Sequence, residues 1–322
     1  MKNKAGHKSS LTKEGKMYKC EKCGEEFTRK DNLKRHLESG VCSHKKSSKK
    51  TKKRASQLEQ YIDKDRIKGK IIRLNRARLN PNGKGYAEIL FFGDVHYGHP
   101  GCDIERAERN IEYCLSKNIY VLGMGDYIEA GLRNSVGDSM YMQTLNPQRQ
   151  WDFMEKLFEP LAERGLLLGL ITGNHEGRIL KETSVNITKM MAKSLKVPYL
   201  GYACWNLFYV GNQSYTVYSL HGSSGSRYVY TKLKALVDIA HNFDADILAM
   251  GHVHELADEA ILVQQVDKAR KMIIERKKFL ILTGSYLRYD DSYAQMLGYP
   301  MGKMGSPKVK LFANKKDIHI SG

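Results

Sequence analysis

The chain has 322 residues, 41% of them hydrophobic, and a net charge of +18, which is enough apolar content for a buried core and argues against a disordered protein. No run of about 18 apolar residues occurs, and the start, MKNKAGHKSSLTKEGK, lacks the apolar stretch of a signal peptide, so a soluble, intracellular protein is expected. Six cysteines without a repeated framework fit a reducing compartment better than a disulfide scaffold.

The charge is unevenly placed. Residues 1–57 hold 18 Lys/Arg against 6 Asp/Glu, a net of +12, and the other 265 residues hold 35 against 29, a net of +6. Such a concentration calls for a polyanionic partner. No amphipathic helix accompanies it, so nucleic acid is expected, DNA first, and no membrane.

Within this basic region, YKCEKCGEEFTRKDNLKRHLESGVC spaces Cys20 and Cys23 as C-x2-C, with His36 after twelve intervening residues and Cys42 after five more. Phe27 and Leu33 supply the small apolar core that such a unit needs. Residues 18–44 therefore resemble a ββα zinc finger with a structural zinc on Cys20, Cys23, His36 and Cys42. His44 is the alternative fourth ligand, and Cys42 is preferred because its spacing from His36 lies inside the usual range. With a helix starting near Lys30, Arg29, Asn32 and Arg35 fall at the three base-reading positions of a finger, where Arg pairs with G and Asn with A. A protein-binding or purely structural finger is the competing reading.

Next, SHKKSSKKTKKRAS carries seven basic residues and no large apolar one, so residues 45–57 read as a flexible basic linker. The spacing in QLEQYIDKDRIKGKIIRLNRARLN predicts a helix over about 57–80, making residues 58–84 a helical connector that ends at the turn NPNGKG. From 85 to 322 short apolar runs alternate with helix-period segments. Strands are expected over 87–92, 119–123, 166–172, 205–210, 215–220 and 246–250, and helices over 103–118, 146–165, 184–196 and 226–243, the first capped by Asp103. Beyond 255 the pattern turns to strands over 259–266, 277–284, 307–313 and 317–321. This order suggests a layered α/β domain with two packed sheets.

Five of these strands end in metal-ligating groups. LFFGDVHYGH ends in Asp94, His96 and His99, VLGMGDYIE in Asp126, LITGNHEGR in Asn174 and His175, TVYSLHG in His221, and ILAMGHVHE in His252 and His254. Strand carboxyl ends are where layered α/β folds bind ligands. Two carboxylates, an amide and this many imidazoles exceed the needs of one tetrahedral ion and point to a pair of divalent ions, Mn, Fe or Zn.

The motifs GDVH, GDYIE, GNHE, LHG and GHVH resemble those of the calcineurin-like metallophosphoesterase superfamily over roughly residues 86–256. The resemblance implies an α/β four-layer sandwich of two packed β-sheets flanked by helices, here preceded by the small ββα finger. It also implies Asp94, His96 and His254 on one metal, Asn174, His221 and His252 on the other, Asp126 bridging both, and His175 as the catalytic histidine. The nucleophile would be metal-bound hydroxide, with His175 as general acid to the leaving alkoxide. Arg178 is a candidate phosphate ligand, and Glu129 and Glu176 either orient the histidines or cap structure. GDVHYGH and the late GHVH look like the double-strand-break repair nucleases, although that branch has a His where this chain has Glu129. GNHE looks more like the phosphoprotein phosphatases, whose Asp-Arg-Gly run is missing here. A metal-dependent DNA nuclease or phosphodiesterase brought to DNA by its finger is the leading expectation. A phosphatase or phosphodiesterase acting on a small molecule or phosphoprotein is second, and a non-catalytic binding module third.

Overall fold

The computed structural model describes residues 11–12, 15–21, 23–38, 74–133, 135, 139–290, 295, 298 and 300–322, and the chain divides into two compact units, Met1–Ile71 and Ile72–Gly322. In the first, β1 (Leu11–Thr12) pairs with β2 (Gly15–Lys16) and β3 (Tyr18–Lys19) with β4 (Glu26–Phe27), ahead of helix α1 (Lys30–Glu38). The helix starts at the expected Lys30. Cys42, His44, the linker over 45–57 and residues 58–73 of the connector lie outside the described residues.

One expectation is corrected at the end of that connector. Residues 74–79 belong to no helix but form strand β5 (Leu74–Leu79). Asn75 and Leu79 are buried on alternate positions, and the Asn75 side-chain amide donates to Leu168 C=O at 3.0 Å and to Asn206 Oδ1 at 3.1 Å. A period of two with a buried amide pair outweighs the loose helical spacing of the Arg-rich run.

The second unit is an α/β sandwich of two mixed sheets flanked by helices. Strands β6 (Tyr86–Phe92), β7 (Tyr120–Gly123), β8 (Leu167–Ile171) and β9 (Tyr199–Gly201) run parallel. The other sheet contains β5, β10 (Ala203–Val210), β11 (Gln213–Leu220), β12 (Ile247–Met250), β13 (Leu256–Asp267) and β14 (Met272–Thr283). Strands β15 (Lys308–Phe312) and β16 (Ile318–Ser321) complete the first sheet beside β6. Ile89, Phe91 and Val121 of one sheet share a single buried cluster with Phe208, Val217, Ile247 and Ile281 of the other.

Helix α2 (Ile104–Lys117) is capped by Asp103, whose carboxylate accepts Arg106 N–H at 3.2 Å, and it buries Ala107, Ile111 and Cys114 at helical spacing. After the short α3 (Ser139–Met142), α4 (Pro147–Glu163) starts on an Asn146 cap and sets Phe158 edge-on against Phe92 and Tyr127. Helices α5 (Asn174–Thr183) and α6 (Ile187–Ser194) follow β8. On the opposite side α7 (Val229–Ala240) packs Leu236 and Ala240 against Leu248, Met250, Leu280 and Leu282 of the second sheet. Among the described residues no helix is long and apolar enough to cross a membrane.

Candidate metal centre

The loops that leave the strands share a strained backbone. Asp94, His96, Asp126, His252 and His254 have φ between 48° and 68°, a left-handed conformation costing a non-glycine residue about 1 kcal/mol or more. Such a cluster exists only where the surroundings over-determine it. Glycines permit the close approach. A Cβ on Gly173 would lie 2.0 Å from Asp126 Oδ1, and one on Gly125 would lie 2.8 Å from His221 Nδ1, which is why the motifs read GD and GNH.

Backbone bonds lock the loops to one another. The N–H groups of Asp94, Val95 and Tyr97 donate to the carbonyls of Gly125, Asp126 and Tyr127. Glu176, in the first turn of α5, accepts the N–H groups of Gly173, Asp126, Tyr127 and Ile128 at 2.8, 3.0, 2.8 and 3.3 Å. Of its two expected roles, Glu176 therefore takes the cap. Four N–H donors favour its carboxylate, against burial and the Asp126 charge, which push the carboxyl up to about 7.

All seven expected ligands come together. Donor atoms of Asp94, His96 and His254 lie within 4.8 Å of one another, as do those of Asp126, His221 and His252, and those of His96, Asp126 and His175. Asn174 Oδ1 lies 2.9 Å from His221 Nε2 and 2.7 Å from His252 Nδ1, which adds the amide to the second set. His96 Nε2 and His254 Nε2 face each other at 3.0 Å, roughly the separation of two donors on one cation with bonds of about 2.1 Å.

The donor set fits a metal pair on its own chemistry. Among the described residues Asp126 Oδ2 is buried without a hydrogen-bond partner, although His221, His96 and His175 point Nε2 at it from 3.1, 3.7 and 3.9 Å. A buried acceptor left orphaned among imidazole nitrogens is what a bridging cation would satisfy. The local potential agrees: burial works to lower the His221 imidazole, yet Asp126 and Asp94 push it up to about 10, so the field at this point favours a positive charge. His221 Nδ1 donates to Met124 C=O at 2.9 Å, which fixes the ring with Nε2 inward.

His175 stands beside the cluster. Its Nδ1 donates to Glu129 C=O at 2.6 Å, and its Nε2 accepts from Arg178 Nη2 at 3.0 Å. Burial pushes this imidazole down to about 4, with Asp126 acting to raise it and Arg178 to lower it. Arg178 Nη1 is buried and has no hydrogen-bond partner among the described residues. The Glu129 carboxylate accepts from His96 Nδ1 at 3.2 Å and lies 3.5 Å from His175 Nδ1, so this residue touches both a ligand and the candidate acid. His99 is half-buried, its Nδ1 accepting Gly101 N–H at 2.9 Å.

In the finger, donor atoms of Cys20, Cys23 and His36 lie within 4.8 Å of one another, and Cys23 Sγ is 3.2 Å from His36 Nε2. Arg29 and Arg35 are exposed on α1 and its approach, held by Asp31 at 2.9 Å and by Asn32 at 3.1 Å.

The groups that support the site carry no sequence motif. Gln150 is fully buried in α4, accepting Ala130 N–H at 2.9 Å and donating to Leu145 C=O at 2.6 Å, and it braces the loop that carries Glu129. Its only signal is a Gln at an otherwise apolar helix position. The nearly covered pair Lys232 and Glu255, 3.3 Å apart, likewise sits beside His254 without a motif to mark it.

Residues 87–256 match the family described as calcineurin-like phosphoesterase, and residues 18–39 match the C2H2 type zinc finger. Among solved structures the chain is similar to Vacuolar Protein Sorting 29 from Cryptosporidium parvum, at 15% identity and TM-score 0.38, over 74% of this chain and 97% of that one. It is also similar to a predicted phosphoesterase from Streptococcus pneumoniae, at 14% identity and TM-score 0.32, over 73% and 88% of the two chains. A metallophosphoesterase from Sphaerobacter thermophilus aligns at 15% identity and TM-score 0.30, over 73% and 88%. No curated protein matches the chain.

Proposed function

This chain belongs to the calcineurin-like phosphoesterase family and is a metal-dependent hydrolase of phosphate esters, and from that premise we propose that its substrate is a phosphodiester of DNA, to which the finger and the basic region carry it. The observation that supports this reading is the exposed face of α1. Arg29 and Arg35 stand in solvent beside the half-buried Asn32, with both guanidiniums already oriented by neighbouring side chains, in a segment whose excess charge suits a polyanion.

The proposed ligands are Asp94, His96 and His254 for one ion and Asn174, His221 and His252 for the other, with Asp126 Oδ2 between them. A bound pair would neutralise phosphate oxygens and acidify a water. The chain's own groups do the rest. Arg178 Nη1 takes a phosphate oxygen, and in doing so the guanidinium withdraws from His175 Nε2. That withdrawal leaves Nε2 free to take up the proton released by the acidified water and pass it to the leaving alkoxide, a role worth about 10² to 10⁴ in rate. Glu129 holds both rings by their Nδ1 atoms.

The test is incubation of the full chain and its His175→Ala variant with manganese and labelled single- and double-stranded DNA, alongside a small aryl phosphodiester. Cleavage of DNA by the wild type alone supports the reading. Cleavage of the aryl diester without DNA overturns the substrate and leaves the small-molecule or phosphoprotein enzyme.

A further inference from the structure

The loop that leaves His221 ends in an exposed aromatic pair. Tyr228, just before α7, and Tyr230 in its first turn stack with ring centroids 5.6 Å apart and planes 18° from parallel. Even so, 59% and 71% of these residues' surfaces face solvent. Two rings held face to face in water leave their outer faces uncovered, and a contiguous exposed apolar surface of this kind marks a place of contact.

The pair is tied to the metal-ligand cluster on both sides. Tyr228 follows His221 by seven residues. Lys232, one helical turn on, donates its backbone N–H to Tyr228 C=O at 3.0 Å and places Nζ 3.3 Å from Glu255 Oε2. Glu255 directly follows His254, and both side chains of the ion pair are nearly covered, so the first turn of α7 is pinned to the loop that bears His254. A third exposed ring, Tyr202, accepts His221 N–H on its carbonyl at 3.0 Å, and a Cβ on Gly177 would lie 3.3 Å from its Oη. Tyr202 therefore stands over the first turn of α5, the turn that carries Asn174 and His175.

The ligand these rings suit is flat, π-faced and attached to the phosphate that the metal ligands await. A nucleobase meets all three requirements. In a duplex both faces of each base are covered by stacked neighbours, so a base must be unpaired to lie on tyrosine. We propose that the Tyr228–Tyr230 stack is a base-stacking platform that selects single-stranded nucleic acid as the substrate of the adjacent metal site. This rests on the nucleic-acid reading of that site and narrows it.

The experiment uses the full chain and a short oligothymidylate carrying one 2-aminopurine, without added manganese and at about 0.2 M salt to suppress phosphate attraction to the basic region. The expected result is quenching of 2-aminopurine on binding, lost in Tyr228→Ala/Tyr230→Ala together with roughly 10- to 100-fold of affinity, and kept in Tyr228→Phe/Tyr230→Phe, because the ring and not the hydroxyl stacks. Absence of quenching in the wild type overturns the platform, as does an alanine pair that binds and quenches like wild type. So does a phenylalanine pair that fails like the alanine pair. Cleavage assays with manganese separate the two readings. Duplex cleavage without quenching removes the platform and leaves the nuclease, whereas cleavage of an aryl phosphodiester with no oligonucleotide bound or cut removes both.

Discussion

The finger and the phosphoesterase unit place metal-ligating residues in opposite circumstances. In the finger, α1 buries no residue, and nine residues of helix are marginal alone, so the ion is needed to make the structure. In the larger unit the loops are already locked by paired backbone bonds and by the four N–H groups on Glu176, so an ion is received by a structure that exists without it. The same imidazoles and their acidic or thiol partners thus serve folding in one place and chemistry in the other.

Withdrawal of metal tests that contrast most severely. Chelation of zinc, or Cys20→Ala, is expected to abolish the finger's folded amide resonances, since zinc in such units contributes roughly 10–16 kcal/mol of apparent binding energy. Residues 72–322 should keep a cooperative thermal transition, lowered only by the lost linkage to bound ion. Simultaneous unfolding of both units would break the comparison.

Within the larger unit the next effect is catalytic. His175→Ala should lower kcat by about 10² to 10⁴ with two metals still bound by elemental analysis, because the ring makes its bonds to Glu129 C=O and Arg178. Loss of a metal in this variant would reassign His175 as a ligand, a role its place beside His96 and Asp126 permits.

Glu129→Gln should weaken metal affinity by about 10- to 100-fold, the usual worth of a group that orients a ligating His. It also has a pH signature. Burial foremost, with Asp126 adding and Arg178 opposing, pushes the Glu129 carboxyl from 4.5 up to about 7. A carboxyl raised in the folded state favours folding while protonated, so its contribution is fully present below about 4.5 and is lost as pH rises to about 7. Without added manganese, denaturant titrations of the wild type should lose on the order of 2–3 kcal/mol over that window relative to Glu129→Gln. Parallel pH profiles of the two proteins would show that Glu129 is not held in this way.

What could be read in the sequence divides along the same line. The ligands stand at the ends of apolar runs, so five motifs locate Asp94, Asp126, Asn174, His221 and His252 with their neighbours from the sequence alone. What holds them was not legible, because Gln150, Glu255 and the Met124 carbonyl act through contacts between distant segments, and a lone Gln or a backbone carbonyl carries no local signature. Strand β5 was hidden for a related reason. Its partner β10 lies more than a hundred residues away, and only that partner turns the Arg-rich run RLNRARL into a period of two. Helix α5 is equally illegible, since GNHE reads as the end of a strand while Asn174 is already the first helical residue.

The smallest effect returns to the finger and to whether its helix reads bases. Arg29→Ala should weaken binding to a duplex carrying the favoured G by about 1–3 kcal/mol and flatten preference at that position. A neutralised phosphate contact would instead weaken all sequences alike and reduce the salt slope by about one. Asp31 separates the two roles further. It contacts Arg29 at 2.9 Å from an exposed position, so Asp31→Ala forfeits less than about 1 kcal/mol of ion pair while removing a negative charge from a surface that would face phosphate. If Arg29 reads a base, losing its brace lowers discrimination although the added net positive charge strengthens overall binding. If Arg29 only meets phosphate, Asp31→Ala tightens every sequence equally. Anisotropy titrations against matched and mismatched duplexes at two salt concentrations tell these outcomes apart.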